Sequence, residues 1–234
     1  VLADAAIAPV ASLLADPARV AMLMALSDGR ELAASELALV AGVSAATAST
    51  HLARLAAAGL VAVRRAGRHR FHRLARPELV HALEALAVLA PESAPRTHAQ
   101  ARIGRAVRAA RTCYDHLAGR LGVAVTRSLV ERGALASAGG QFTVTAAGER
   151  LLGGAAGAGG LGIDLAAVRA RRRALAPSCL DWSERVPHVA GALGAALLAS
   201  FFERGWIERM AASRAVQVTL AGRRGFARAL GIAG

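Results

Sequence analysis

Between Ser35 and Leu74 the chain reads SELALVAGVSAATASTHLARLAAAGLVAVRRAGRHRFHRL, and this stretch constrains the fold most. Two cap residues and two glycine stops are packed into its first 25 positions. Ser35 caps a short helix from Glu36 to Ala41, with Leu37 and Val40 as apolar contacts. Gly42 follows, where a helix C-terminus favours a residue free to take positive φ. Ser44 offers a hydroxyl to the orphan N–H groups of a second helix, Ala45 to Ala58, which stops at Gly59. Leu60 to Arg65 then alternates as a strand does, Ala66-Gly67 supplies a turn, and Arg70 to Leu74 returns around Phe71. Helix, tight turn, helix and hairpin in that order predict a winged helix-turn-helix.

The two faces of the second helix differ in kind. Ala48, Leu52 and Leu55 recur at helical spacing and face a core. The other face carries Thr47, Ser49, Thr50, His51 and Arg54, beginning at Ser44, and the helix has no acidic residue. Short donors and acceptors with one cation suit a groove floor or phosphate oxygens. The hairpin holds Arg64, Arg65, Arg68, His69, Arg70, His72 and Arg73 and no carboxylate. A solvated basic loop is the plain alternative. Like charges across a hairpin cost stability, however, and an anionic partner accounts for them better. Double-stranded DNA is therefore the expected partner of both elements.

The segment resembles the ArsR/SmtB family of small transcriptional regulators. LADPARVAMLMALSDG (Leu14 to Gly29) is similar to that family's helix after the dimer-forming first helix, with Asp16 as cap and Pro17 at the first helical position. VSAATASTHLARLAAAGLV is similar to its recognition helix and lead-in to the wing. The resemblance covers Leu2 to Leu89 and implies a DNA-binding dimer. The family's metal sensors carry a Cys-containing motif in the first helix of the helix-turn-helix. The matching stretch here, Glu31 to Leu37, has no Cys. Another family site lies on the last helix, where this chain offers Glu78, His81 and Glu84 without the full spacing. A signal is expected to enter elsewhere.

Composition narrows the chemistry. All 29 basic residues among the 234 are Arg, and there is neither Lys nor Asn. Schiff-base and Walker A lysines are thereby excluded. The glycine-rich run Gly153 to Gly162 reads as a flexible linker. Two cysteines do not make a secreted disulfide scaffold, no secretory leader opens the chain, and the apolar run Val189 to Phe202 is shorter than a bilayer span. A cytoplasmic protein is expected. The net charge of +13 is uneven: about +2 over residues 1–90 and +11 beyond. Arg102, Arg105, Arg108 and Arg111 are expected along one long helix, as phosphate contacts or as a solvated face.

Beyond Pro91 and Pro95 the chain repeats itself. His116 to Ala124 matches His188 to Ala196, Glu131 to Leu135 matches Glu203 to Ile207, and Val144 to Gly148 matches Val218 to Gly222. Three blocks in order at near-constant offset argue for internal duplication. Each copy reads as a helix, a stop at Gly133 or Gly205, a short hairpin, and a helix capped by Thr145 or Thr219. The expected architecture is mainly α with short β-hairpins. A winged helix-turn-helix over residues 1–90 precedes an effector domain over 96–234, built of two winged-helix-like half-units (about 113–152 and 179–230). A seam of Ile103, Val107, Ala110, Tyr114, Leu117 and Leu121 is expected on one helix.

Cys113 and Cys179 lie just upstream of the duplicated blocks, three residues before His116 and nine before His188. Related by a pseudo-twofold, both could approach one cleft, with Tyr114, Asp115, Asp181, Trp182 and Glu184 around them. Four readings stay open: inert core thiols, a soft metal or metalloid site using Cys113 and Cys179 with His116 or His188, a redox or electrophile sensor, and a small-molecule pocket in which the thiols are incidental. The expected function is a homodimeric repressor, not an enzyme, that binds a palindromic operator and is released by an effector at the second domain. A winged-helix protein-interaction module and the dimerisation domain of an enzyme such as a methyltransferase are the rivals. No nucleotide-binding βαβ unit or catalytic triad supports the enzyme.

Overall fold

The computed structural model describes residues 6–67, 69–76, 78–91, 98–154, 160–211 and 213–232. The chain divides into two compact units: residues 1–83 with 212–214, and residues 84–211 with 215–234. The division falls inside one helix rather than at the Pro91–Pro95 break, of which residues 92–97 lie outside the described set.

In the first unit the elements are α1 (Ile7–Leu14), α2 (Pro17–Ala25), β1 (Leu32–Ala33), α3 (Ala34–Ala41), α4 (Ala45–Ala57), β2 (Val61–Ala66), β3 (His69–Leu74) and the start of α5 (Glu78–Leu89). Asp16 caps α2 by accepting from Arg19 N at 3.0 Å, with Pro17 at the first helical position. The α3 cap is Ala33 rather than Ser35, because the Glu36 carboxylate reaches back to Ala33 N–H at 2.7 Å and draws in an extra helical residue. Ser44 caps α4, accepting from Thr47 N at 3.1 Å. Ala48, Leu52 and Leu55 of α4 are buried with Met22, Leu23, Leu26 and Leu37, as their spacing predicts. The sheet order is β1-β3-β2, all antiparallel, and Ala66 faces His69 at the hairpin end.

The second unit runs twice through one order of elements. The first copy runs α6 (His98–Ala109), β4 (Arg111–Cys113), β5 (His116–Ala118), α7 (Gly119–Glu131), β6 (Leu135–Ala138), β7 (Gln141–Val144) and α8 (Ala146–Gly153). After α9 (Leu165–Arg169) the second copy follows: β8 (Ser178–Leu180), β9 (Pro187–Val189), α10 (Gly191–Glu203), β10 (Ile207–Arg209), β11 (Val216–Val218) and α11 (Leu220–Leu230). Thr145 and Thr219 cap α8 and α11, accepting from Gly148 N and Gly222 N. The copies cross: α10 packs on β5, and α7 packs on β9. That reciprocal crossing is what a pseudo-twofold produces. Gly119 and Gly191 open α7 and α10 at φ of 76° and 69°. A Cβ on Gly119 would lie 2.7 Å from Arg108 O, and one on Gly191 would lie 2.3 Å from Pro177 Cδ. Only glycine fits such left-handed, crowded positions.

One core unites both copies. It includes Leu129, Leu135 and Leu152 from the first copy and Leu193, Leu197, Phe201 and Phe226 from the second. Phe201 stacks on Trp206 and Phe226 meets both edge-on, with centroids 4.9–5.6 Å apart. Burying each such side chain contributes roughly 1.5–3 kcal/mol. Three expectations are corrected. The helix before the first block ends at Ala109, so Ile103 and Val107 do not share a helical seam with Tyr114, Leu117 and Leu121, and Arg111 is a buried strand residue rather than part of an arginine-lined helix. The strand forms because Arg111 pairs with Ala118 and bridges Ala215, long-range bonds that helical spacing cannot reveal. The glycine-rich run is also not wholly a linker. Residues 155–159 are outside the described set, but Leu161 is buried and its N–H donates to Leu151 O.

Candidate functional site

The exposed face of α4 carries Thr47, Ser49, Thr50 and Arg54, with Ser44 at its N-terminus. Thr50 Oγ1 donates to Ala46 O at 3.2 Å, and Thr47 Oγ1 lies 2.9 Å from Ser44 Oγ. Both hydroxyls keep acceptor capacity for a groove. The face has no carboxylate, and the N-terminus of α4 presents its free N–H groups beside it. His51 is turned away from this set. Its side chain is 12 % exposed, with Nδ1 3.4 Å from Arg19 Nη1 and Nε2 4.0 Å from Asp16 Oδ1. It therefore braces α4 against the start of α2.

The hairpin is less uniformly cationic than its own residues imply. Glu31, just before β1, accepts from Arg64 Nε at 2.6 Å and lies 3.9 Å from Arg73 Nε. The expectation of a hairpin without a carboxylate partner is corrected for these two arginines: β1 pairs with β3 and carries Glu31 alongside. The Arg64 guanidinium, through that hydrogen bond, holds the Glu31 carboxyl below its usual range. Arg65 and Arg70 face one another as an exposed pair, and His69 is exposed beside them. Arg68 lies outside the described residues. His72 does not belong to the surface. It is buried opposite Leu32, and burial pulls its pKa down.

The second unit brings together two residues of each copy. Cys113 pairs with His116 across β4–β5, and Cys179 pairs with His188 across β8–β9. The differing Cys–His spacings in the sequence thus conceal one register, because the second hairpin has the longer loop. Donor atoms of Cys113, His116 and Cys179 all lie within 4.8 Å of one another. Both thiols are free, Cys113 buried and Cys179 half-buried. A hydrogen bond between them raises the Cys113 pKa, with burial adding to it, and lowers that of Cys179.

The two histidines differ sharply. Burial pulls His116 down, but the Asp115 carboxylate and the Cys113 thiol outweigh it and raise its pKa to about 9. His188 is pulled down to about 3 by burial and by His116, whose ring centroid is 5.1 Å away. His188 is not among the clustered donor atoms. Neither are Tyr114, which turns the first hairpin at φ 58°, and Trp182, which is covered by the guanidiniums of Arg108 and Arg111. The spacing of the arginines hides the part that Arg111 plays beside them. Arg111, fully buried, donates to Asp181 Oδ2 at 2.9 Å and lies 3.5 Å from Glu84 Oε2. A separate cleft of about 340 Å³ opens between the copies, lined by Leu121, Ala124, Val218 and Phe226 with Arg120 and Arg223, and no cysteine lines it.

Comparison with known proteins agrees with the geometry of the first unit and extends across the second. The pattern of the bacterial regulatory protein arsR family matches residues 16–63, from the cap of α2 into β2. The uncharacterized HTH-type transcriptional regulator YdfF of Bacillus subtilis (strain 168) is 42 % identical over 226 residues, 97 % of each chain. Among solved structures, NolR from Sinorhizobium fredii is 29 % identical over 37 % of this chain and 85 % of its own, with a TM-score of 0.34. The homodimeric winged helix-turn-helix DNA-binding domain of Mb0332 from Mycobacterium bovis is 30 % identical over 39 % of this chain and 84 % of its own, also at 0.34. With the cap, turn and wing in place and near-complete coverage of a regulator of the same length, the chain belongs to the arsR family of bacterial helix-turn-helix transcriptional regulators.

Proposed function

We propose that the protein is a homodimeric repressor that binds a palindromic operator and is released by a signal received in its second unit. The observation that carries the reading is the acid-free exposed face of α4 beside the opposed pair Arg65 and Arg70. The helix enters the major groove, Thr47, Ser49, Thr50 and Arg54 meet base edges and phosphates, and the wing follows the backbone. The regulator acts where the chromosome is, in the cytoplasm. Dimerisation is supported by uncovered apolar surface. No residue of α1 is buried, Ile7 is 66 % exposed, and Leu89 at the end of α5 is 82 % exposed. A second copy covering such residues generates two-fold symmetry and hence a palindromic site. The cysteine–histidine cluster is where the signal enters, since the helix preceding the recognition helix has no cysteine.

The test is fluorescence anisotropy and footprinting with the DNA upstream of the protein's own coding sequence. A symmetric footprint of two half-sites, about one helical turn apart, is expected, with affinity falling steeply as salt rises. A single unsymmetrical half-site would refute the dimer, and salt-independent binding would refute the wing.

A further inference from the structure

Cys113 and Cys179 come from opposite copies of the repeat, yet their sulfurs and a His116 ring nitrogen share one small volume. His116 is 1 % exposed. Its Nδ1 faces Asp115 Oδ1 at 3.7 Å, and its Nε2 has no hydrogen-bond partner among the described residues. Asp115 is itself held in a bidentate ion pair by Arg173. A buried ring nitrogen left unsatisfied is unfavourable, because it has given up water without a replacement partner. A buried histidine with a carboxylate at Nδ1 and a ring nitrogen within 4.8 Å of two sulfurs is an arrangement that metal-bound histidines adopt.

We propose that Cys113, Cys179 and His116 bind one thiophilic divalent cation of the Zn²⁺ or Cd²⁺ type, with Asp115 orienting His116, and that occupancy of this site is the signal that alters DNA binding. The second half of this proposal rests on the repressor reading above. Two thiolates and an imidazole select soft or borderline ions over Mg²⁺ or Ca²⁺. A fourth position is left for water or another small ligand. On binding, each thiol and the His116 imidazolium give a proton to the buffer and the ion exchanges aqua ligands for sulfur and nitrogen, so no electron is transferred. A disulfide is the competing chemistry for two close thiols, but it would leave the His116 nitrogen unsatisfied and give Asp115 nothing to orient. Because the sulfurs belong to different copies, the ion cross-links hairpins β4–β5 and β8–β9. That is a change of packing at the pseudo-twofold, and therefore one able to favour one conformation of the unit over another.

The experiment titrates Cd²⁺ into the reduced, metal-free full-length protein and follows the ultraviolet charge-transfer absorption of cadmium–thiolate bonds. Saturation at one equivalent per chain is expected, with two sulfurs and one nitrogen in the X-ray absorption spectrum of the unaltered protein. Cys113→Ser and Cys179→Ser should each abolish stoichiometric binding, and Asp115→Asn should weaken it about 10- to 100-fold. No absorption at one equivalent, or ready formation of a Cys113–Cys179 disulfide that Cd²⁺ does not block, would overturn the site. Operator binding is measured separately with and without Cd²⁺. Stoichiometric Cd²⁺ binding with unchanged operator affinity overturns the signalling role alone. Failure of the metal-free protein to bind its operator overturns the repressor reading and leaves the absorption result standing.

Discussion

Arg65 and Arg70 stand directly opposite one another in the β2–β3 ladder, two exposed cations with no carboxylate partner among the described residues. Their repulsion is relieved when a phosphate lies over the hairpin. Arg65→Ala with Arg70→Ala should weaken operator binding on all sequences and reduce the slope of log affinity against log salt by about 2, roughly one per lost phosphate contact. Arg64→Ala with Arg73→Ala should reduce it less, because Glu31 already offsets one of that pair's two charges. Anisotropy titrations across salt concentrations distinguish the two, and equal slopes for both double variants would contradict this division of labour.

In the proposed reading, Thr47 and Thr50 act on choice of sequence rather than on charge. Thr47→Ala with Thr50→Ala should narrow the ratio of operator to random-sequence affinity by about tenfold, the scale of one mismatched base pair, while leaving the salt slope unchanged. Competition binding against scrambled operator reads this directly.

Acid should destabilise the first unit through His72. An unfolded histidine titrates near 6.5, and burial, with a smaller contribution from Arg70, lowers the folded value. Below about pH 6.5 the unfolded chain takes up a proton that the folded unit refuses. The stability contribution of neutral His72 is therefore complete above that pH and is lost as the pH falls through the range beneath it. His72→Leu should show a smaller drop in urea midpoint between about pH 7.5 and 5.5 than the unaltered protein, and identical drops would reject the assignment.

The Arg111–Asp181 pair holds the second unit together from inside. Asp181 also accepts from Gly119 N at 2.6 Å and from Ser183 and Glu184 N–H groups. Asp181→Ala should cost about 3–5 kcal/mol, because the Arg111 charge stays buried and loses the nearer of its two carboxylates, Glu84 being the other. Arg111→Met should cost a similar amount, and the double variant less than the sum. Chemical denaturation of the three variants measures the coupling, and strict additivity would show that the pair is not one.

Two glycines of positive φ should respond differently to alanine. A Cβ added at Gly205 would meet nothing within 4 Å, so Gly205→Ala should cost only about 1–2 kcal/mol, the strain of the left-handed backbone. Gly191→Ala adds collisions with Pro177 Cδ and Ala174 O and should cost clearly more. Thermal unfolding that ranks the two equally would contradict the packing at the start of α10.

Much of the fold was legible because it is written locally. The core face of α4, the Ser44, Thr145 and Thr219 caps, the stops at Gly42, Gly133 and Gly205, and the repeated blocks depend on residues within a turn or two of each other. Periodicity and cap chemistry determine such features before any long-range contact forms. The strand at Arg111 was not legible, nor was the neutralisation of Arg64 by Glu31 or the withdrawal of His51 and His72 from the surface.

Local patterns along the chain specify an arsR-type winged helix-turn-helix followed by a second half with three repeated blocks, with thiols absent from the familiar positions. Long-range packing settles which arginines meet a carboxylate and which cysteine meets which histidine. The reason is physical: a helix or cap is specified by neighbours along the chain, whereas a carboxylate arriving from another strand, or two sulfurs arriving from two copies of a repeat, are brought together only when the core closes.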